Sequence, residues 1–208
     1  MTDDRLGGLA LIAGSAGSLL TMSLHPTGHD FVAGQLDAAA ARMIGVHALA
    51  IGTLPISFLG ALALSRRTAG PGRLALAALV VYALALLAGL IAAGVSLAVP
   101  GIARHMLEAE PAARAGFRLL FGYSGDLIQA FAKVIVAASS AAIVLWSAPV
   151  VRGRALPRWM GIYGLVAGAA AIVVLASGNL RLDAHGFGLV VLGQAIWFIA
   201  VGAAMWRA

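Results

Sequence analysis

The segment His25-Pro26-Thr27-Gly28-His29-Asp30 is the densest group of metal-ligating and proton-transferring side chains in the chain. Imidazole nitrogen suits zinc, copper, iron and nickel, and a neighbouring carboxylate such as Asp30 can ligate directly or hold the second ring nitrogen. His47 and His185 open two further apolar runs at an equivalent depth. The predicted metal ligands are therefore His25, His29, His47 and His185, drawn from three helices. Three imidazoles around zinc or another divalent transition metal leave a fourth position for water, which is the arrangement of a metal-dependent hydrolase.

A second candidate constellation is Asp126, Gln129 and Lys133, spaced i, i+3 and i+7 so that they share one stripe of a helix. Lys133 is the only lysine in the protein. A charge within a membrane helix is costly and marks a relay or a ligand anchor when it is retained. Asp126 and Asp30 are the expected bases, and Lys133 the expected partner for the negative end of an amphiphilic substrate. Tyr82, Tyr123, Ser124 and Gln194 are the polar residues expected to complete a pocket. Ser139, Ser140 and Ser147 are expected to bond a carbonyl one turn back. Tyr123-Ser124-Gly125-Asp126 does not form a nucleophile elbow, so covalent serine catalysis is not expected.

Elements that can position these residues follow from composition. Of the 208 residues, 62% are apolar and 11% are charged, and mean hydropathy is +0.98. A soluble domain of this size cannot hide that much apolar surface. The pattern predicts an all-α polytopic membrane protein, a single domain of six transmembrane helices over residues 6–24, 44–64, 74–99, 121–146, 159–175 and 187–206. Pro55 is expected to kink the second helix, and Pro100-Gly101 to end the third. The two long connections, about 26–43 and 100–120, are expected to carry short amphipathic helices lying at the interface.

The charge pattern sets an expected orientation. Arg5, Arg66, Arg67, Arg73, Arg152, Arg154, Arg158 and Arg207 fall on one side with the acids Asp3 and Asp4. The positive-inside rule then puts both termini in the cytoplasm of a bacterial-type inner membrane. All five histidines fall on the opposite side. The arginines are scattered between apolar runs, so the net charge of +6 marks topology and gives no nucleic-acid surface. Cysteine is absent, which excludes disulfides and thiolate chemistry.

The function expected on these grounds is a membrane protein with an outward-facing histidine and carboxylate site, acting as a metal-dependent enzyme on a lipid-like substrate. Three alternatives stay open. One is a small proton-coupled or anion transporter working through Asp126 and Lys133. Another is a non-catalytic subunit. The third is a b-type haem held between His25 or His47 and His185, with Gly45, Gly186 and Gly188 making room.

Overall fold

The computed structural model describes residues 2–26, 36–69, 73–180 and 182–207. Over these the chain forms six helices: α1 (Asp3–Ser23), α2 (Leu36–Arg67), α3 (Leu74–Glu108), α4 (Pro111–Arg152), α5 (Arg158–Ala176) and α6 (Ala184–Arg207). Each is long and apolar enough to cross a membrane. The protein is a polytopic six-helix membrane bundle.

Helices α1 to α5 pack in chain order, each against the next, and α6 returns to lie along α1 while meeting α4 and α5 only sparsely. The bundle thus has two ends. One, the terminus end, carries both chain ends with the α2–α3 and α4–α5 connections. The other, the histidine end, carries His25, His47, His105 and His185.

At the terminus end the helices touch closely. A Cβ on Gly202 would lie 2.6 Å from the Gly8 carbonyl oxygen, and one on Gly60 would lie 2.7 Å from the Leu11 nitrogen. Small residues at such contacts let backbones approach where lipid offers no hydrophobic drive for helix association. Trp146, Trp197, Leu64, Ile143, Val201 and Met205 fill the core between them. Both indole N–H groups have acceptors, as burial requires: Trp146 donates to Ser65 Oγ at 2.9 Å and Trp197 to the Met160 carbonyl at 2.9 Å. Arg67 pairs with Asp4 across the same end.

The described parts of the long connections are helical, but as continuations of the spanning helices. Residues 36–43 are the first turns of α2, and residues 31–35 lie outside the described segments. Helix α3 continues through Pro100 to Glu108, and α4 begins at Pro111. The break falls at Ala109 and Glu110, both extended (ψ 147° and 151°). Proline disfavours the helical conformation in the residue before it and suits the first helical position itself. Pro111 therefore ends one helix and starts the next, whereas Pro100 costs only one backbone bond within an established helix. Helix α2 likewise runs through Pro55.

With 42 residues, α4 is about 63 Å long, roughly twice the hydrocarbon thickness. His105 stacks on Phe117 across the α3–α4 hairpin, with ring centres 5.5 Å apart. Leu175, in the last turn of α5, packs on the cluster formed by Ala132, Val136 and Leu182. Lys133 is thus level with the end of α5, and Asp126 lies about 10 Å further along α4.

Candidate functional site

Between the helices at the histidine end lies a cavity of about 640 Å³ bounded by α1, α2, α3, α4 and α6. That volume is within the range of small-molecule sites, about 300–1,000 Å³. Ala85, Ala92, Ala93, Ala132 and Ala195 line it, and short side chains at these positions leave the space. Tyr82 and Phe198 form its floor. They belong to an aromatic group with Trp146 and Trp197, whose ring centres lie 5.0 to 6.3 Å apart. This group closes the cavity toward the terminus end.

Two polar stripes lead from the floor to the mouth. Ser15, Ser18 and Thr21 on α1 lead to His25 just past its end, and on α2 Ser57, Thr53 and His47 run antiparallel to them. The stripes end with the rings of His25 and His47 side by side, centres 5.1 Å apart at an interplanar angle of 74°.

Each ring is held by its Nδ1. That of His25 is 2.8 Å from the Pro26 carbonyl oxygen, and that of His47 is 2.8 Å from the Met43 carbonyl oxygen. A carbonyl only accepts, so each Nδ1 carries the proton and donates it. In the neutral ring the other nitrogen, Nε2, then has its lone pair free. His47 is buried, and His25 is half-buried.

One turn from His25, Thr21 stands on the cavity wall with its hydroxyl buried and without a hydrogen-bond partner among the described residues. Buried hydroxyls are normally satisfied, which makes this one conspicuous. Four other hydroxyls on the wall are spent. Those of Ser18, Thr53, Ser96 and Ser139 donate to the carbonyls of Gly14, Ala50, Ala92 and Ile135 at 2.6 to 3.0 Å. Gln194 Nε2 donates to Ser139 and Ser140 at 2.8 and 2.9 Å, and Gln129 Nε2 donates to the Leu182 carbonyl at 3.0 Å. Ser15, Ser57 and Tyr82 also present hydroxyls along the cavity.

The residues singled out in the sequence divide into three groups. His25, His47 and His185 all line the cavity, with Tyr82, Gln129 and Gln194. The first two histidines meet, while exposed His185 stands at the start of α6, where Asp183 Oδ1 accepts from the backbone N–H groups of His185 and Gly186 at 3.1 and 2.8 Å. His29 and Asp30 lie outside the described residues. Asp126 and Lys133 are exposed and lie on the side of α4 turned away from the cavity. That orientation follows from helical geometry: the wall is made by Ile128, Ala132, Ile135 and Ser139, and positions 126 and 133 project well over 90° from that stripe. Gln129 sits at its edge and bonds Leu182, so it does not bridge Asp126 to Lys133. Tyr123 is exposed, and Ser124 donates to the Leu120 carbonyl at 2.9 Å.

Among the described residues, no three histidine, aspartate or glutamate side chains come close enough together to hold a metal ion. Of the described histidines expected to converge, His25 and His47 have their rings in contact. Nothing lies within 4 Å of a Cβ placed on Gly45, and only Met22 Cε, at 3.9 Å, on Gly188. Neither glycine relieves a close contact beside the histidines.

Thr21, Thr53, Ser57, Ser96 and Asp183 went unremarked as cavity residues. Their signal was available: Ser15, Ser18 and Thr21 lead up to His25, and Ser57 and Thr53 lead up to His47, at the spacing of one helix face. Compared with protein-family models, characterised proteins and solved structures, the chain has no significant match to any.

Proposed function

We propose that this membrane protein binds an amphiphilic, lipid-like molecule in the cavity, entering from the histidine end, with its polar end against His25 and His47. The observation that carries the reading is a cavity with an aromatic floor, alanine and aliphatic walls crossed by two polar stripes, and at its mouth two imidazoles held through Nδ1 by backbone carbonyls, each with Nε2 unbonded among the described residues. Such a combination suits a molecule with one apolar and one polar end. The aromatic floor favours a one-sided pocket over a pathway through the bilayer. The arginine distribution supports placing the mouth outside the cytoplasm.

The test is saturable binding of an amphiphile to protein in nanodiscs, with Ala92→Phe as the filled-cavity control. Saturable binding lost in the control is expected. Equal uptake by both proteins would refute the reading.

A second reading keeps a transition metal at the mouth, with His25 and His47 as two of its ligands and His185, His29 or Asp30 as candidates to complete the set. One observation favours it. Two imidazoles bound to one ion at about 2.0–2.1 Å and spread tetrahedrally hold their ring centres about 5 Å apart, close to the 5.1 Å seen. Ligating histidines also commonly give their other N–H to a backbone carbonyl. A bound zinc would supply activated water and turn the pocket into a hydrolytic site. Elemental analysis of wild type beside His25→Ala/His47→Ala decides it: stoichiometric metal lost in the folded double variant supports this reading, and metal-free wild type rejects it.

A further inference from the structure

We propose that the protein carries a second binding site, at the terminus end, which takes the phosphodiester head group of an anionic phospholipid and lays an acyl chain along α6. It is independent of the cavity at the histidine end.

A groove of about 490 Å³ lies beside the closed core, between the last two turns of α6 and the connection from α4 to α5. Helices α5 and α6 pack sparsely, which leaves room there. On α6 the groove is lined by Ala200, Ala203, Ala204 and Arg207. Their spacing of i, i+3, i+4 and i+7 is one stripe of a helix, so three methyl groups lead up to one guanidinium. Trp159 and Met160, in the first turn of α5, add apolar surface.

Arg67, the last residue of α2, supplies the second guanidinium. Its Nε donates to the Ala155 carbonyl at 3.3 Å and its terminal nitrogen to Asp4, so the group is fixed in place with N–H donors to spare. Arg207 has no ion pair or hydrogen bond among the described residues. Two arginines against the carboxylate of Asp4 leave an excess of one positive charge, which matches the single negative charge of a phosphodiester. Arginine binds phosphate through paired N–H groups. The same end carries six further arginines and, besides Asp4, only Asp3, a field that gathers anionic lipid.

Depth decides between a lipid and a free phosphate. Arginine and tryptophan at helix ends sit level with the head groups, and Ala200 lies about 10 Å deeper than Arg207 along α6. The groove thus runs from charge to methyl in the order of a lipid, and a free phosphate would leave the alanine stripe uncovered. The arginine distribution assigns this lipid to the cytoplasmic leaflet.

The experiment titrates protein in mild detergent with dioleoylphosphatidylglycerol or dioleoylphosphatidylcholine, which share tails and phosphodiester, and counts bound lipid by native mass spectrometry. The first phosphatidylglycerol should be held about tenfold more tightly than phosphatidylcholine, a difference of about 1.4 kcal/mol, and excess inorganic phosphate should not displace it. Arg207→Gln should bring the two lipids to parity. Arg66→Gln, which removes an exposed arginine outside the groove, should keep most of the preference, and Ala203→Phe should weaken phosphatidylglycerol by filling the groove. Equal binding of the two lipids by the wild type would overturn the anionic head group, and displacement by inorganic phosphate would overturn the lipid. Equal losses in Arg207→Gln and Arg66→Gln would overturn the seat and make the attraction a property of the whole basic face. Undiminished binding in Ala203→Phe would overturn the position of the chain.

Discussion

The two ends of the bundle are built from the same small residues and reach opposite results. At the terminus end, Gly8, Gly60, Gly164 and Gly202 are points of contact: a Cβ on Gly164 would lie 2.5 Å from Trp197 Nε1. Toward the histidine end, Gly17 still meets Thr53, with a Cβ 2.3 Å from its Cγ2, while Gly45, Gly94, Gly122 and Gly125 lie exposed on the outside of the bundle with nothing within 4 Å of that position. The large aromatics follow the same division, with Trp146 and Trp197 almost wholly buried below the cavity floor and alanines lining the space above it. Glycine and alanine content therefore does not report packing density. What differs is whether a large side chain from a neighbouring helix fills the room that a small residue leaves. One end is a closed core, and the other is a lined space with orphaned polar atoms.

Several substitutions would sharpen that contrast or break it, beginning with the most disruptive. Trp146→Ala removes the centre of the closed end and should cost about 3–5 kcal/mol, read by thermal unfolding in mild detergent; a loss under about 1 kcal/mol would mean the core is not there. Ala142, fully buried at that end, and Ala92, on the cavity wall, offer one substitution in two settings. Ala142→Phe should cost about 3 kcal/mol by overpacking, whereas Ala92→Phe should fold with less than about 1 kcal/mol of change and abolish ligand uptake. Similar losses for the two would erase the distinction between the ends.

Smaller effects come from the surface. Gly45→Ala should leave stability unchanged or raise it by up to about 1 kcal/mol, since the position is open and glycine is a poor helix residue. The Arg104–Asp37 pair, 2.6 Å apart with side chains 52% and 90% exposed, should contribute under about 1 kcal/mol. Arg104→Ala, measured in low and high salt, checks it.

The helix count and the apolar class were legible because six runs of membrane-spanning length stand out between arginine clusters. The ends of α3 and α4 were not, because Pro100 reads as a stop although a proline within a long helix removes a single bond. His25 and His47 were recognisable as neighbours from their matching depth on consecutive helices. The side of α4 that carries Asp126 and Lys133 was not legible either, since which face of a helix meets the cavity depends on how its neighbours pack, and Ile128, Ala132, Ile135 and Ser139 took that place. Ser139 does bond a carbonyl one turn back, as its type suggests, whereas Ser147 is buried without a partner. The Thr21 orphan could not be read from sequence at all. Threonine in a helix ordinarily satisfies itself against the preceding turn, and only the packing shows that this one does not.

The natural absence of cysteine makes one measurement decisive for the central claim that the histidine end encloses an accessible cavity over a closed core. Ser96→Cys, on the cavity wall, and Ser147→Cys, below the floor, each become the sole thiol, and both replace side chains that are almost fully buried. The two folded proteins are treated with a small thiol reagent in nanodiscs, with and without a bound amphiphile. The account predicts that the thiol at 96 reacts and is protected by ligand, while the thiol at 147 stays silent until the protein unfolds. Equal reactivity at both positions, or none at 96, would contradict it.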